Sequence, residues 1–235
     1  MTVIIDRRFC GPPESGNGGY VAGLLAERIA TTPTRPAVSV RLSSPPPLDR
    51  ALTLGGYGSL VLLQDSGRGI ASASPAPTLQ GELPEPVSLA AAQAAEAAYE
   101  GLNGHPFPTC FSCGTGREPG DGLCLRPGPL GDGTGRYAAT WTPNEVALPF
   151  VWAALDCPGG WSAGIAGRPM VLGTMTTQLL HDPMPAQPHV IVAWPRGGEG
   201  RKFLSGSALF TAQGDLLARA EATWITVDPA AVRPA

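Results

Sequence analysis

Internal repetition is the feature of this sequence that most restricts its fold. The segments GNGGYVAGL at 16–24 and CPGGWSAGI at 157–165 share two glycines, an aromatic residue and an Ala-Gly-aliphatic end. Three further pairs of similar segments follow the same order: strands at 2–9 and 136–143, Arg-Pro-started strands at 35–49 and 168–185, and hairpins at 58–74 and 206–221. Four matches in one order predict that the chain is two copies of one unit.

Each copy is predicted to contain a strand, one helix that begins at glycines, and several antiparallel strands. The first helix is expected at 17–30. Its counterpart at 150–165 contains Pro158, which removes a backbone donor, so we expect that helix to bend or to begin again there. One helix cannot cover both faces of a sheet. The sheet is therefore expected to wrap around its helix or to pair with the other copy.

These patterns divide the chain into four parts: a first repeat at 1–80, a linker helix at 81–104, a Gly-, Pro- and Cys-rich loop at 105–135 and a second repeat at 136–235. The alanine-rich stretch at 88–104 predicts a helix that is capped by Ser88 and ends at Gly101 or Gly104. The loop is long for a compact domain, which indicates a function or a metal site.

Composition excludes several classes of protein. Hydrophobic residues make up 43% of the 235 residues, charged residues 15%, and the net charge is −3. Such a chain is globular, and without a basic stripe it is not expected to bind nucleic acid. It has no run of eighteen apolar residues and no secretory signal, so we expect no membrane partner and a cytoplasmic location with five reduced cysteines.

The residues that open the predicted helices point to a known family. A strand followed by Asn-Gly-Gly-aromatic at 17–20 and then by an antiparallel sheet, in duplicate, resembles the double hotdog acyl-CoA thioesterase-like proteins. The segment PTCFSCGTGREPGDGLCLRPGP at 108–129 is similar to a loop of thioesterase-like members. The resemblance implies an α+β fold with two antiparallel sheets, each wrapping a central helix. It also implies acyl-CoA bound between the copies, hydrolysis to acid and CoA, and no cofactor. Exposed sheet edges would permit a homo-oligomer.

The chemistry of thioester hydrolysis suits several of these residues. Negative charge develops on the carbonyl oxygen, and backbone N–H groups at a helix start are suited to stabilise it. Gly18 and Gly19 are candidates in the first copy, and Gly159 and Gly160 in the second. The alternative is that these glycines only permit close packing. Asp156, an acid in the apolar stretch FVWAALDC, is the candidate base, because burial would raise its pKa.

The remaining site residues come from the resemblance. It implies a threonine or serine on the strand after the second helix and a glutamine near the final strand. GTMTTQ offers Thr174, Thr176 and Gln178, while Ala222 stands where the glutamine is expected, with Glu221 beside it. Around the first helix start, the candidate substrate-binding residues are Glu14 and Asn17.

Cysteines and histidines provide alternatives. Cys110, Cys113 and Cys124, with His105 upstream, have the residue types of a zinc site, but a second Cys-x2-Cys is absent and Cys157 stands alone. The favoured interpretation is free thiols and no metal. His181 and His189 are expected at the surface.

Three functions remain open at this point. Hydrolysis of an acyl-CoA is the first. An enoyl-CoA hydratase is the second, although no histidine lies near a helix start. The third is an acyl-CoA-binding or partner-binding protein without catalysis, which the missing glutamine favours. A serine hydrolase is set aside because the sequence contains no Gly-x-Ser-x-Gly in a strand-to-helix setting.

Overall fold

The computed structural model describes residues 1–231, which form three α-helices and eleven β-strands. The helices are α1 (Gly18–Ala26), α2 (Leu89–Glu96) and α3 (Leu148–Ser162). The strands are β1 (Thr2–Ile4), β2 (Ala37–Leu42), β3 (Ala51–Tyr57), β4 (Leu60–Asp65), β5 (Arg68–Ala76), β6 (Gly128–Pro129), β7 (Tyr137–Trp141), β8 (Met170–Leu179), β9 (His189–Glu199), β10 (Lys202–Thr211) and β11 (Leu216–Thr226). No helix within this range is long and apolar enough to cross a membrane.

All the strands belong to one antiparallel sheet, with the order β1-β3-β4-β5-β2-β8-β11-β10-β9-β7-β6. The two halves of the chain meet where β2 pairs with β8, from Val38 opposite Thr177 to Arg41 opposite Thr174. The two sheets that the resemblance implies are therefore joined edge to edge as one sheet. Edge strands of the two halves satisfy each other's backbone groups, which makes the sheet continuous.

The strand order reads alike from both ends of the sheet. The first half gives β1-β3-β4-β5-β2, and the second gives β7-β9-β10-β11-β8, with the short β6 added outside β7. The diglycine segments do not occupy matching places in this arrangement. Gly18 begins α1, whereas Gly159 lies near the end of α3, which begins at Leu148. The similarity between 16–24 and 157–165 is therefore not a match of equivalent positions.

α3 continues through Pro158 as one helix and does not begin again there. A proline at this position leaves the carbonyl of Ala154 without its usual helical donor. Hydroxyl groups from outside the helix bind the carbonyls of the two adjacent residues. Ser112 donates to the carbonyl of Ala153 at 2.6 Å, and Ser207 donates to that of Leu155 at 2.7 Å. These bonds connect this part of α3 to the 105–135 loop and to β10.

α1 and α3 pack against each other and against one face of the sheet, where the main core lies. α2 covers the other face near β7 and β9, and its Ala92 and Ala95 pack on Val190, Val192 and neighbouring apolar residues. Ser88 caps α2 by accepting the N–H of Ala91. The helix ends at Glu96, before Gly101, and a short 3-10 turn follows at 100–103.

Candidate active site

The start of α1 meets the middle of α3 at a buried carboxyl group. Asn17 caps α1, since its side-chain oxygen accepts the N–H of Tyr20 at 2.8 Å. Oδ2 of Asp156, on α3, accepts the N–H of Gly19 at 2.9 Å and the side-chain amide of Asn17 at 3.3 Å. The carboxyl group therefore lies at the positive end of the α1 dipole, where the first N–H groups have no partner within the helix.

Two glycines let α1 approach α3 closely enough for this contact. A Cβ on Gly19 would lie 2.5 Å from Cβ of Asp156 and 2.7 Å from the carbonyl oxygen of Trp152, and one on Gly23 would overlap Pro149. Gly19 thus serves helix packing, the alternative that the sequence left open. Its N–H is bound to Asp156 and is not directed at a ligand.

Burial dominates the electrostatics of Asp156. The residue is 2% exposed, and burial raises the pKa of its carboxyl group from about 3.8 to about 7, with the nearby Cys110 acting in the same direction. The hydrogen bonds from Gly19 and Asn17 oppose this increase. Oδ1 has no hydrogen-bond partner among residues 1–231. A buried polar atom of this kind calls for an explanation, and an atom waiting for a ligand or a water is one.

Asp156 lines a pocket of about 340 Å³ to which both halves of the chain contribute. Gly18 and Asn17 stand beside the carboxyl group, and the walls are largely apolar, with Leu172 and Trp224 from the second half among them. A concave apolar site with a few polar groups at one end is typical of small-molecule binding. The structure therefore brings together Asp156, Gly18 and Asn17 of the candidate residues.

Three cysteine thiols lie at the same end of the pocket. The sulfur atoms of Cys110, Cys113 and Cys157 all lie within 4.8 Å of one another, and all three residues line the pocket. We call them the thiol cluster. Cys124, which the sequence grouped with Cys110 and Cys113, is exposed and stands apart. Hydrogen bonds from Cys113 and Cys157 lower the pKa of the Cys110 thiol.

His105 lines the pocket too and contacts the thiol cluster. Its Nε2 lies 3.3 Å from the sulfur of Cys113, and its Nδ1 accepts the N–H of Phe107 at 2.8 Å. The indole N–H of Trp161 donates to the same sulfur at 3.4 Å. Buried N–H groups on several sides thus point at sulfur, a weak acceptor when it is neutral.

The four polar residues that were expected to complete the site on β8 and β11 lie on the opposite face of the sheet: Thr174, Thr176, Gln178 and Glu221. Thr176 donates to Ser39 at 2.9 Å, and the side-chain oxygen of Gln178 accepts the N–H of Leu79 at 3.3 Å. Glu221 forms an ion pair with Arg196 at 2.7 Å. Thr176 thus links β8 to β2 of the first half, Gln178 links β8 to the connection after β5, and none of the four residues is among those that line the pocket.

A β-bulge in β8 places its three residues Thr174, Thr176 and Gln178 on that face. Leu172 faces the helices opposite Trp224, but the register then shifts so that Gly173 is an extra residue before Thr174. Met175, completely buried in the core, takes the inward position instead of Thr174. One inserted residue turns every following side chain to the other face.

Two other expectations fail for reasons of position. Gly159 and Gly160 lie in the last turns of α3 and pack on Ser205 and Trp224, so they offer no N–H groups at a helix start. Glu14 is exposed, forms an ion pair with Arg7 at 3.4 Å, and does not line the pocket.

Sequence reasoning also missed residues that the structure places inside. Cys157 was treated as isolated, although it follows Asp156 directly and packing on α3 brings it to Cys110, with sulfur atoms 3.6 Å apart. Its adjacency to the candidate base was the available signal. His189 was expected at the surface but is 2% exposed, and it lies against Trp141. Its position at the start of the continuous apolar run HVIVA, which is typical of a fully buried strand, was the signal there.

Comparison with solved structures gives matches over nearly the whole chain. A protein of unknown function with a hot dog fold from Alicyclobacillus acidocaldarius aligns with a TM-score of 0.61 at 13% identity, covering 97% of this chain and 93% of the other. An acyl-CoA thioesterase II from Mycobacterium marinum gives 0.59 at 13% identity, covering 98% and 93%. A TesB protein from Mycobacterium avium subspecies paratuberculosis gives 0.56 at 11% identity, covering 91% and 88%.

No protein-family model matches the chain, and no curated protein matches its sequence. The similarity is thus one of structure, at identities that establish the fold only. The sheet, the two helices on one face and these alignments confirm the α+β hotdog architecture that the sequence suggested. The protein has the hotdog fold.

Proposed function

We propose that the protein hydrolyses the thioester bond of an acyl-CoA and that Asp156 is the general base. The observation that carries the proposal is a buried carboxyl group in a residue that lines a largely apolar pocket at the start of α1, with one oxygen that has no hydrogen-bond partner among residues 1–231. Structural neighbours named acyl-CoA thioesterase II and TesB support the choice of thioester.

The proposed reaction uses two residues that line the pocket, Asp156 and Gly18. Oδ1 of Asp156 accepts a proton from a water whose oxygen attacks the carbonyl carbon. The N–H of Gly18, at the first residue of α1, stabilises the oxyanion that forms. The carbon–sulfur bond then breaks, and the proton on Asp156 passes to the departing thiolate. The products are a free acid and a thiol, and the carboxylate is regenerated.

We infer also that the chain is a fused pair of hotdog units with one site at their seam. The repeated strand order supports the pairing. Asn17 and Gly18 come from the first unit and Asp156 from the second, so the site needs both.

A thiol-release assay over a series of acyl-CoA chain lengths tests the proposal. Asp156→Asn keeps the volume of the side chain but removes the base, so we expect the rate to fall by about 10²- to 10⁴-fold. Asp182→Asn makes the same chemical change at an exposed position and is the matched control. Wild-type release that the Asp156→Asn substitution leaves unchanged would contradict the role of Asp156.

A second candidate is an acyl-CoA-binding protein that does not hydrolyse its ligand. It is favoured by the positions of Thr174 and Gln178 on the far face of the sheet and by alanine at 222, which leave Asp156 without the partners that the resemblance implies. Wild-type protein that binds acyl-CoA in calorimetry, but releases no thiol from any chain length, would establish this alternative.

A further inference from the structure

The thiol cluster is arranged like the ligands of a metal ion. Its three sulfur atoms lie within 4.8 Å of one another, and those of Cys110 and Cys157 are 3.6 Å apart. Two thiolates on one tetrahedral zinc ion, each with a bond of about 2.3 Å, are separated by roughly 3.8 Å. We propose that Cys110, Cys113 and Cys157 bind a zinc ion through three thiolates and leave its fourth coordination position open to the pocket.

The protein groups around the sulfur atoms suit negatively charged ligands. Trp161 donates its indole N–H to the sulfur of Cys113, and the side-chain amide of Asn17 points at Cys110 and Cys157 from 3.7 and 3.9 Å. Donors in an outer shell stabilise the charge of metal-bound thiolates and orient them. Neutral thiols that only filled a core would need no such partners.

His105 acts as another donor of this kind and not as a fourth ligand. The N–H of Phe107 donates to Nδ1, so in the neutral imidazole the proton is on Nε2. Nε2 therefore donates to the sulfur of Cys113, at 3.3 Å. A nitrogen that carries a proton has no lone pair for zinc, and this tautomer leaves the fourth position to water or another small ligand.

The backbone around Cys110 and Cys113 forms a turn that presents both sulfur atoms to one point. The N–H of Gly114 donates to the carbonyl of Cys110 at 2.8 Å, and the hydroxyl of Tyr99 donates to that of Cys113 at 2.8 Å. A Cβ on Gly114 would lie 2.5 Å from the carbonyl oxygen of Cys110, so the turn requires glycine there. Cys157 on α3 completes the set, and a zinc ion would fasten the irregular loop at 105–135 to that helix.

All three sulfur atoms belong to residues that line the pocket, beside Asp156. Zinc sites with three protein ligands and one open position are those at which an exogenous molecule binds. The metal site stands independently of the proposed thioester hydrolysis, because its test requires no acyl-CoA.

Metal content and cobalt binding test the proposal. We expect about one zinc per chain in purified wild-type protein by elemental analysis. After removal with a chelator, Co²⁺ should restore one equivalent with a thiolate-to-cobalt charge-transfer band. Cys113→Ser and Cys157→Ser should weaken Co²⁺ binding by more than about 100-fold, beyond the 10- to 100-fold cost typical of an outer partner. Cys124→Ser, in the same loop but exposed, is the matched control and should bind like wild type.

The His105→Gln variant tests whether His105 is a ligand of the zinc ion or a hydrogen-bond donor to the sulfur of Cys113. We expect it to retain one equivalent of Co²⁺ with an unchanged charge-transfer band and an affinity about 10- to 100-fold lower. Circular dichroism of every variant reports folding, and if the cysteine variants do not fold, titration of stripped wild-type protein decides alone. Stripped wild-type protein that binds no Co²⁺, or binds it without a thiolate band, would overturn the proposal.

Discussion

The buried carboxyl group of Asp156 lowers the stability of the fold, and its proposed catalytic role explains its presence. Its side chain is buried, and one of its oxygens has no hydrogen bond among the described residues. Selection for stability alone would replace such a group with an uncharged residue, because a buried charge without full compensation is unfavourable. A carboxyl group in this position is expected where chemistry requires it.

The pH dependence of stability follows from the same residue. Burial raises the pKa of Asp156 to about 7, so the folded protein holds this proton more tightly than the unfolded chain. The contribution of the carboxyl group to stability is therefore fully present below about pH 4 and is lost as the pH rises through about 7. Asp156→Asn cannot ionise, and its free energy of unfolding relative to wild type should rise by roughly 2–4 kcal/mol between pH 4 and pH 8.

Urea denaturation of chelator-treated protein at a series of pH values measures this difference. Chelator treatment keeps any metal on Cys110 or Cys157 from changing the charge near the carboxyl group. Asp182→Asn, at the surface, should run parallel to wild type across the range. A constant difference between Asp156→Asn and wild type from pH 4 to pH 8 would show that the carboxyl group does not titrate as expected.

At the scale of elements, the contact of α1 with α3 places the carboxyl group. Gly19 lies directly against Asp156 and the backbone of α3, and Gly23 repeats the close approach one turn later. The two helices come from different halves of the chain, and their crossing sets the distance between Asp156 and the first N–H groups of α1.

Replacement of Gly19 by alanine should therefore destabilise the protein. In an exposed helix the change would stabilise by up to about 1 kcal/mol, since alanine is the better helix former. At this position the new Cβ would lie 2.7 Å from the carbonyl oxygen of Trp152, so the helices must separate, and we expect a net loss of about 1–3 kcal/mol. Chemical denaturation measures the change. Gly55→Ala, where a Cβ would meet nothing within 4 Å, is the control and should be nearly neutral.

Local signals in the sequence predicted where the linker helix begins, but not the face of the sheet to which the side chains of β8 point. Ser88 caps α2 because capping depends on neighbouring residues only. The resemblance offered Thr174 on β8 for the site, but the bulge at Gly173 places its side chain on the opposite face of the sheet. Alternation along a strand does not reveal a bulge, since its extra residue is fixed by the partner strand.

The parts of the site that depend on contacts between distant segments could not be predicted from the sequence. The acid at 156 was identified from its apolar surroundings in the sequence. Cys157 was not assigned, because its partners Cys110 and Cys113 reach it only through the packing of a long loop on α3. Pro158 predicted a bend or a new start in the second helix. The structure has one helix through this residue, and Ser112 and Ser207, both remote in sequence, donate to its backbone carbonyls.

At the scale of the whole molecule, the continuous sheet and the helix contact join the two halves. β2 and β8 pair at the centre of the sheet, and the main core includes residues of both halves, such as Leu63 of β4 and Leu155 of α3. Shared burial of this extent favours a single cooperative unfolding transition.

The positions of the tryptophans make this cooperativity measurable. All five lie in the second half: Trp141, Trp152, Trp161, Trp194 and Trp224. Leu63→Ala opens a cavity in the first half, at a side chain that is 1% exposed, and should cost about 2–5 kcal/mol. If the halves unfold together, tryptophan fluorescence and far-ultraviolet circular dichroism should show the same lower denaturant midpoint, although every tryptophan belongs to the other half of the chain. Leu60→Ala, on the same strand but 40% exposed, should leave both midpoints nearly unchanged.

A fluorescence midpoint that stays at the wild-type value while circular dichroism develops an earlier transition would show that the halves unfold separately. A site built from Asn17, Gly18 and Asp156 would then depend on the docking of two independent units.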